Sequence, residues 1–112
     1  MFGHAGWYPY MDGKRATGHE RPIRGGLVVT DAALLFVIWD EDLQRIDVAK
    51  RIAFADITTA EVDRLGYMPV LLVRLRDRNM HSFGFEEGGR WKPVEPAMAS
   101  LRSRMARKAA AS

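Results

Sequence analysis

Three histidines, one His-Ser pair, one run of carboxylates and one alternating row of arginines are the side chains whose types suggest chemistry beyond packing. His4, His19 and His81 lack the i, i+4 spacing of helical metal ligands, and no cysteine exists to complete a zinc cage. His81 and Ser82 are a base and a nucleophile by type. Adjacent residues of a strand point to opposite faces, however, so their tips do not meet, and His81 reads as a strand-edge histidine. Asp40, Glu41 and Asp42 are hard-cation ligands by type, but they lack the alternating spacing and the distant glutamate of a calcium loop. Three adjacent carboxylates repel one another and need water, which makes them a hairpin tip. Gly25-Gly26 precedes a strand rather than a helix, so it is no phosphate cradle. No catalytic residue, metal ligand or cofactor is assigned, and the expected function is non-enzymatic.

Cations are the remaining candidates. Arg74, Arg76 and Arg78 alternate as a flat basic stripe would, although Glu61 or Asp63 on the preceding strand can oppose them as cross-strand partners. Lys14 and Arg15, with Arg21 and Arg24, form a second basic group near the N-terminus. Charge is unevenly laid out: +2 over residues 1–26, −4 over 27–88 and +5 over 89–112, for a net +3. Strong nucleic-acid binders place their basic stripe on the folded platform, and this platform is acidic. Nucleic acid, whether RNA or single-stranded DNA, is therefore kept only as a second alternative to the expected partner classes.

The elements that must position these groups are mostly strands. Residues 1–24 carry no sustained period and read as a loop-rich arm, although Trp7, Tyr8 and Tyr10 are too aromatic for a plain tail and suggest a short strand or a docked arm. Residues 25–110 read as one domain. Gly26 to Thr30 is a strand ended by Thr30-Asp31, whose short polar side chains bond the local backbone. Ala33 to Trp39 is a strand apolar throughout, so both of its faces must meet something. Gln44 to Phe54 follows, with a bulge expected around Ala49-Lys50-Arg51, and then Ile57 to Leu65. Leu71, Val73 and Leu75 alternate with Leu72, Arg74 and Arg76 in a period of two, and Asp77-Arg78-Asn79 turns the chain into Met80 to Phe85. Gly88-Gly89 breaks the sheet. A helix from Pro93 to Ala110 presents Val94, Ala97, Met98, Leu101 and Met105 on one side. The fold class is thus mainly β, six or seven antiparallel strands capped by one C-terminal amphipathic helix.

Parity within these strands defines a surface. If Leu34, Phe36 and Ile38 face the core, then Leu35, Val37 and Trp39 face outward, with Val28, Val70 and Leu72 on the same side of their own strands. An exposed group of that kind is an aggregation liability and calls for a cover. Two covers are expected: the N-terminal arm, with Trp7, Tyr8 and Tyr10 over Trp39, or a partner surface, most economically a second copy of the chain. Trp7, Leu35, Val37, Trp39 and Leu72 are the candidate partner-binding residues, and Lys14, Arg15, Arg74, Arg76 and Arg78 the candidate anion-binding ones.

The GxLxxTDxxLxF pattern at Gly25 to Phe36, the Ile-x-Phe-x-Asp-Ile pattern at Ile52 to Ile57 and the His81-Ser82-Phe83-Gly84-Phe85 strand before the helix resemble the PH-like superfold, and within it the GRAM-like or bacterial PH-type domains. The resemblance spans residues 25–110 and leaves the arm outside. It implies a barrel or sandwich that works as an interaction module, binding a protein partner or itself, with peripheral binding of anionic membrane lipids as the alternative. The resemblance also implies that a phosphoinositide binder carries its basic residues around the loop joining its first two strands. With Gly26–Thr30 and Ala33–Trp39 as that pair the loop is acidic, and soluble inositol phosphates are expected to bind weakly. With an earlier first strand, Lys14, Arg15, Arg21 and Arg24 surround the loop instead. No apolar run is long enough to span a bilayer and Met1 to Tyr10 is no signal peptide, so the expected location is the cytoplasm, with a peripheral membrane position as the alternative.

Overall fold

Strand-forming runs and turn chemistry alternate along the chain, and the computed structural model, which describes residues 2–10 and 23–111, follows that alternation. Among the described residues, eight strands precede one helix: β1 (Phe2–Tyr10), β2 (Ile23–Val29), β3 (Ala33–Asp40), β4 (Arg45–Ala53), β5 (Ile57–Leu65), β6 (Met68–Leu75), β7 (Met80–Glu87), β8 (Arg90–Trp91) and α1 (Glu95–Ala111). A 3₁₀ turn at Phe54–Asp56 joins β4 to β5. All pairings are antiparallel, in the order β4-β3-β2-β1-β7-β6-β5, and the short β8 adds to β7. β4 and β5 are therefore the two ends of the path.

The turns have the chemistry their residues dictate. The Thr30 hydroxyl accepts hydrogen bonds from the Ala32 and Ala33 amides, closing β2 onto β3. The Asp77 carboxylate accepts from the Asn79 amide and side chain, and Arg78 takes a positive φ of 72° between them. Gly88 and Gly89, at φ 59° and 78°, turn β7 into β8, a conformation glycine adopts without steric cost.

Inner-face side chains of the sheet make the main core. Leu34, Phe36, Phe83, Leu71 and Val73 are fully buried there, α1 adds Ala97 and Leu101, and Val94 joins them just before the helix. The helix packs on β5, β2 and β6. Its seat is pinned by Arg102, whose guanidinium donates to the Ala60 carbonyl of β5 at 2.6 Å, and by an Arg104–Asp31 ion pair. Glu95 in the first turn and Lys108 in the last complement the helix dipole.

One strand departs from the sequence reading. Residues 2–10, expected as part of a loop-rich arm, form β1 in the middle of the sheet, between β2 and β7. Both faces of this strand are covered: Trp7 joins the main core, and Tyr8 lies on the other face in a second buried cluster with Leu65, Met68, Val70 and Leu72. A strand buried on both sides shows no apolar alternation, and its glycines and proline hide it further.

Candidate functional site

Two places on the molecule combine unusual exposure or unusual charge with a defined geometry. The first is the outer face of the β3–β4 hairpin. Within β3, Leu34 and Phe36 are buried and Ile38 packs partly against the core, so Leu35, Val37 and Trp39 point the other way. β4 then repeats the pattern, because Trp39 pairs with Ile46 and Val37 pairs with Val48. Trp39 is 53% exposed, Ile46 59% and Val48 55%, with Val37, Leu35 and Val28 half-buried beside them. A groove of about 320 Å³ runs along one side of Trp39, lined by Arg24, Gly25, Ile38 and Glu41. Leu43, also exposed, extends the apolar surface to the hairpin tip.

Ile46 and Val48 reach this face through a bulge. Phe36 pairs with Lys50 while Val37 pairs with Val48, which leaves Ala49 as the extra residue. Even-numbered residues of β4 therefore point outward before Ala49 and inward after it, where Ile52 is buried. A bulge is expected from the sequence around Ala49–Arg51, whereas the face that Ile46 and Val48 meet depends on the pairing of β4 with β3.

The remaining partner candidates lie elsewhere. Trp7 is not over Trp39: it sits in the core, with its ring centroid 5.4 Å from that of Phe36, and its indole N–H donates to His81 Nδ1 at 3.0 Å. Leu72 is not outward-exposed but buried in the second cluster under Tyr8 and Met68. Strand order separates β6 from β3 by three strands, so Val70 and Leu72 do not extend the Trp39 surface.

The arginine row is divided among different tasks. Arg74 forms an ion pair with Glu61 across β5 and β6 at 2.6 Å, and Arg76 donates through Nε to the Ala55 carbonyl at 2.7 Å. Arg78 occupies the β6–β7 turn rather than a strand. Lys14, Arg15 and Arg21 lie outside the described residues, in the connection between β1 and β2, whereas Arg24 is exposed on β2 within 3.8 Å of Glu86. Because β1 is the first strand, the acidic Thr30–Ala33 turn joins the second and third strands. The argument against inositol phosphates built on that turn loses its basis.

The second place is the gap between β4 and the β6–β7 turn. A cavity of about 250 Å³ opens there, lined by Lys50, Arg51, Ile52, Asp56, Leu75, Arg76 and Asp77. Lys50 pairs with Phe36 and so lies on the inner side of its strand, half-buried. His81 is close by, and it is not a strand-edge residue: β7 is interior to the sheet, and the ring is only 2% exposed. Burial, reinforced by the Lys50 charge and partly opposed by Asp77, lowers its pKa from 6.5 to about 4. The neutral ring accepts from Trp7 at Nδ1, so its proton is on Nε2, and that buried N–H finds no acceptor. Ser82 Oγ, also buried without a partner, faces the second cluster instead. Among the described residues, no three acidic or histidine side chains converge as metal ligands, and no helix is long and apolar enough to cross a membrane.

Comparison of the chain with family models, with curated proteins and with solved structures returns no match.

Proposed function

We propose that the protein is a non-enzymatic interaction module of the PH/GRAM-like kind that docks a protein partner on the outer face of β3 and β4. The single observation that carries this reading is the exposed row of Trp39, Ile46 and Val48 above a sheet whose inner face is already filled. Apolar groups clustered this way mark contact surfaces, and tryptophan is among the residues that contribute most to protein interfaces. The flanking Asp40, Glu41 and Asp42 oppose contact of this face with an anionic membrane. The order of strands and the C-terminal helix seated on β5, β2 and β6 support the PH-like part of the reading.

A photo-crosslinking amino acid placed at Ile46 tests it, with exposed Thr58 on β5 as the control position. A discrete crosslinked product from position 46 that disappears in Trp39→Glu is the expected result. A chain that yields no product at 46 or 48, and has the mass of a monomer by light scattering, refutes the reading. If the product is a second copy of the chain, the module is self-associating.

A second reading, peripheral binding of anionic lipids, is supported by the place of β1, which sets Lys14, Arg15 and Arg21 in the connection between the first two strands and Arg24 just after it. Liposome co-sedimentation at two salt concentrations separates the readings, since electrostatic binding to lipid weakens as salt rises.

A further inference from the structure

Antiparallel pairing divides the sheet into two meanders, β2–β3–β4 and β5–β6–β7, and among the described residues β1 is the strand that joins them. The seam between β1 and β7 sets Trp7 opposite Phe83, Tyr8 opposite Ser82 and Pro9 opposite His81. A polar side-chain bond crosses it on the inner face: the Trp7 indole N–H donates to His81 Nδ1 at 3.0 Å, and both side chains are buried. An indole nitrogen only donates, and an imidazolium donates from both nitrogens. This bond therefore exists only with a neutral histidine. A proton taken up at Nδ1 leaves two N–H groups facing each other in the core, and the Nε2–H is already without an acceptor.

The surroundings offer little compensation for that charge. The indole turns its N–H rim to the histidine, and the rim is the electropositive part of an aromatic ring. Lys50, on the inner side of β4, adds a like charge. Asp77 of the β6–β7 turn opposes it, but both of its oxygens are engaged by Asn79. Asp56 and Arg76 line the cavity beside Lys50, and β6 meets the histidine with the apolar Val73. Burial and Lys50 accordingly lower the pKa of the ring from 6.5 to about 4.

We propose that the β1–β7 seam is an acid-sensitive opening, in which protonation of His81 displaces Trp7 and separates β1 from β7 while the two meanders keep their own pairing. Once the seam is open the imidazolium reaches water and needs no acceptor within the protein. The order of events distinguishes this from ordinary acid unfolding, because β1 leaves first. Neither the Trp39 face nor a ligand takes part, so the outcome is independent of the protein-docking reading.

Amide hydrogen exchange of the full chain at pH 7 and pH 5, corrected for intrinsic rates and repeated in low guanidinium, tests this. The amides of Trp7, Tyr8, Ser82 and Phe83 should exchange through an opening that responds weakly to denaturant. Between pH 7 and pH 5 that opening should become about twentyfold more populated, as the return of His81 to its ordinary pKa requires. Ala60 and Leu71, within the second meander, should exchange only through the denaturant-sensitive unfolding of the whole chain. His81→Gln, whose side-chain oxygen accepts from Trp7 without titrating, should keep the seam protected and lose the twentyfold gain. Trp7→Phe, which removes the stranded donor, should reduce the gain about threefold and serves as the test if His81→Gln does not fold. Seam and meander amides that exchange together with one denaturant slope at both pH values overturn the proposal. A gain that persists in full in His81→Gln, or in Trp7→Phe, overturns it equally.

Discussion

Replacing Phe36 and Trp39 by alanine, one at a time, probes the two faces of the same strand. Phe36 is 1% exposed and packs its ring against Trp7 at 5.4 Å and Phe83 at 6.0 Å between ring centroids. Truncation forfeits about 1.5 to 3 kcal/mol of apolar transfer, and the surrounding rings are too large to collapse into the space left behind. With the cavity contribution the loss should reach about 3 to 5 kcal/mol, a large share of the stability of a domain this size. Trp39 stands three residues further along β3 on the opposite face, half-exposed, and Trp39→Ala should change stability by less than about 1 kcal/mol. Urea or guanidinium melts followed by far-ultraviolet circular dichroism measure both, provided the slopes with denaturant agree. A loss below about 1 kcal/mol for Phe36→Ala, or a loss above about 2 kcal/mol for Trp39→Ala in a monomer, would refute the assignment of faces along β3. A concentration-dependent loss for Trp39→Ala points instead to self-association through that face.

His81 titrates lower in the folded chain, near 4, than in the unfolded chain, near 6.5, so between these values the unfolded state binds more protons. Stability should be complete above pH 6.5 and fall by about 3 kcal/mol as the pH drops to about 4; in His81→Gln, denaturant melts across that range should lose this part of the slope. Gly25→Ala sets a methyl against the Val37 carbonyl oxygen and 2.8 Å from the Phe36 ring, so its melts should show a loss of about 1 to 3 kcal/mol or more, and an unchanged stability would mean that β2 and β3 lie further apart. Deleting residues 1–10 removes the strand that joins β2 to β7, and the truncated chain should lose cooperative unfolding altogether; a stable, monomeric product would show that β1 is dispensable.

Much of the fold was legible because local chemistry and global architecture agree over residues 25–110. Thr30-Asp31 and Asp77-Arg78-Asn79 turn the chain where their side chains bond the backbone, and the period of two in Leu71 to Arg76 gives the face that each residue meets. The stripe of Ala97 and Leu101, led by Val94 just before the helix, marks the side that packs on the sheet, and all three are buried. The candidate sites were legible only in part. Trp39, Leu35 and Val37 follow from alternation within one strand, a local property. Ile46 and Val48 depend on one extra residue in β4, and their neighbours in space follow from pairing with β3. The cavity residues Lys50, Arg51 and Arg76 come together only when the two ends of the sheet path approach across the 3₁₀ turn, a long-range event that no local pattern encodes.

The strand least visible in the sequence has the widest consequences. Phe2 to Tyr10 interleaves its aromatics with glycine and proline, so no alternation announces it, yet it pairs on both sides and supplies an interior residue to each of the two clusters. Placing it changes the number of every later strand. With β1 in the sheet, the connection between the first two strands is not the acidic Thr30–Ala33 turn but the stretch that contains Lys14, Arg15 and Arg21. It also removes the simplest cover for Trp39: with Trp7 bonded to His81 and Tyr8 packed beside Met68, neither ring is free to reach the outer face of β3. The same strand thus leaves the apolar face of β3 uncovered by β1 and makes the basic stretch the connection between the first two strands. The Trp39 face and the cavity beside Lys50 lie on opposite sides of the β3–β4 hairpin, and the effects of substitutions at Trp39 and at Lys50 on stability should add.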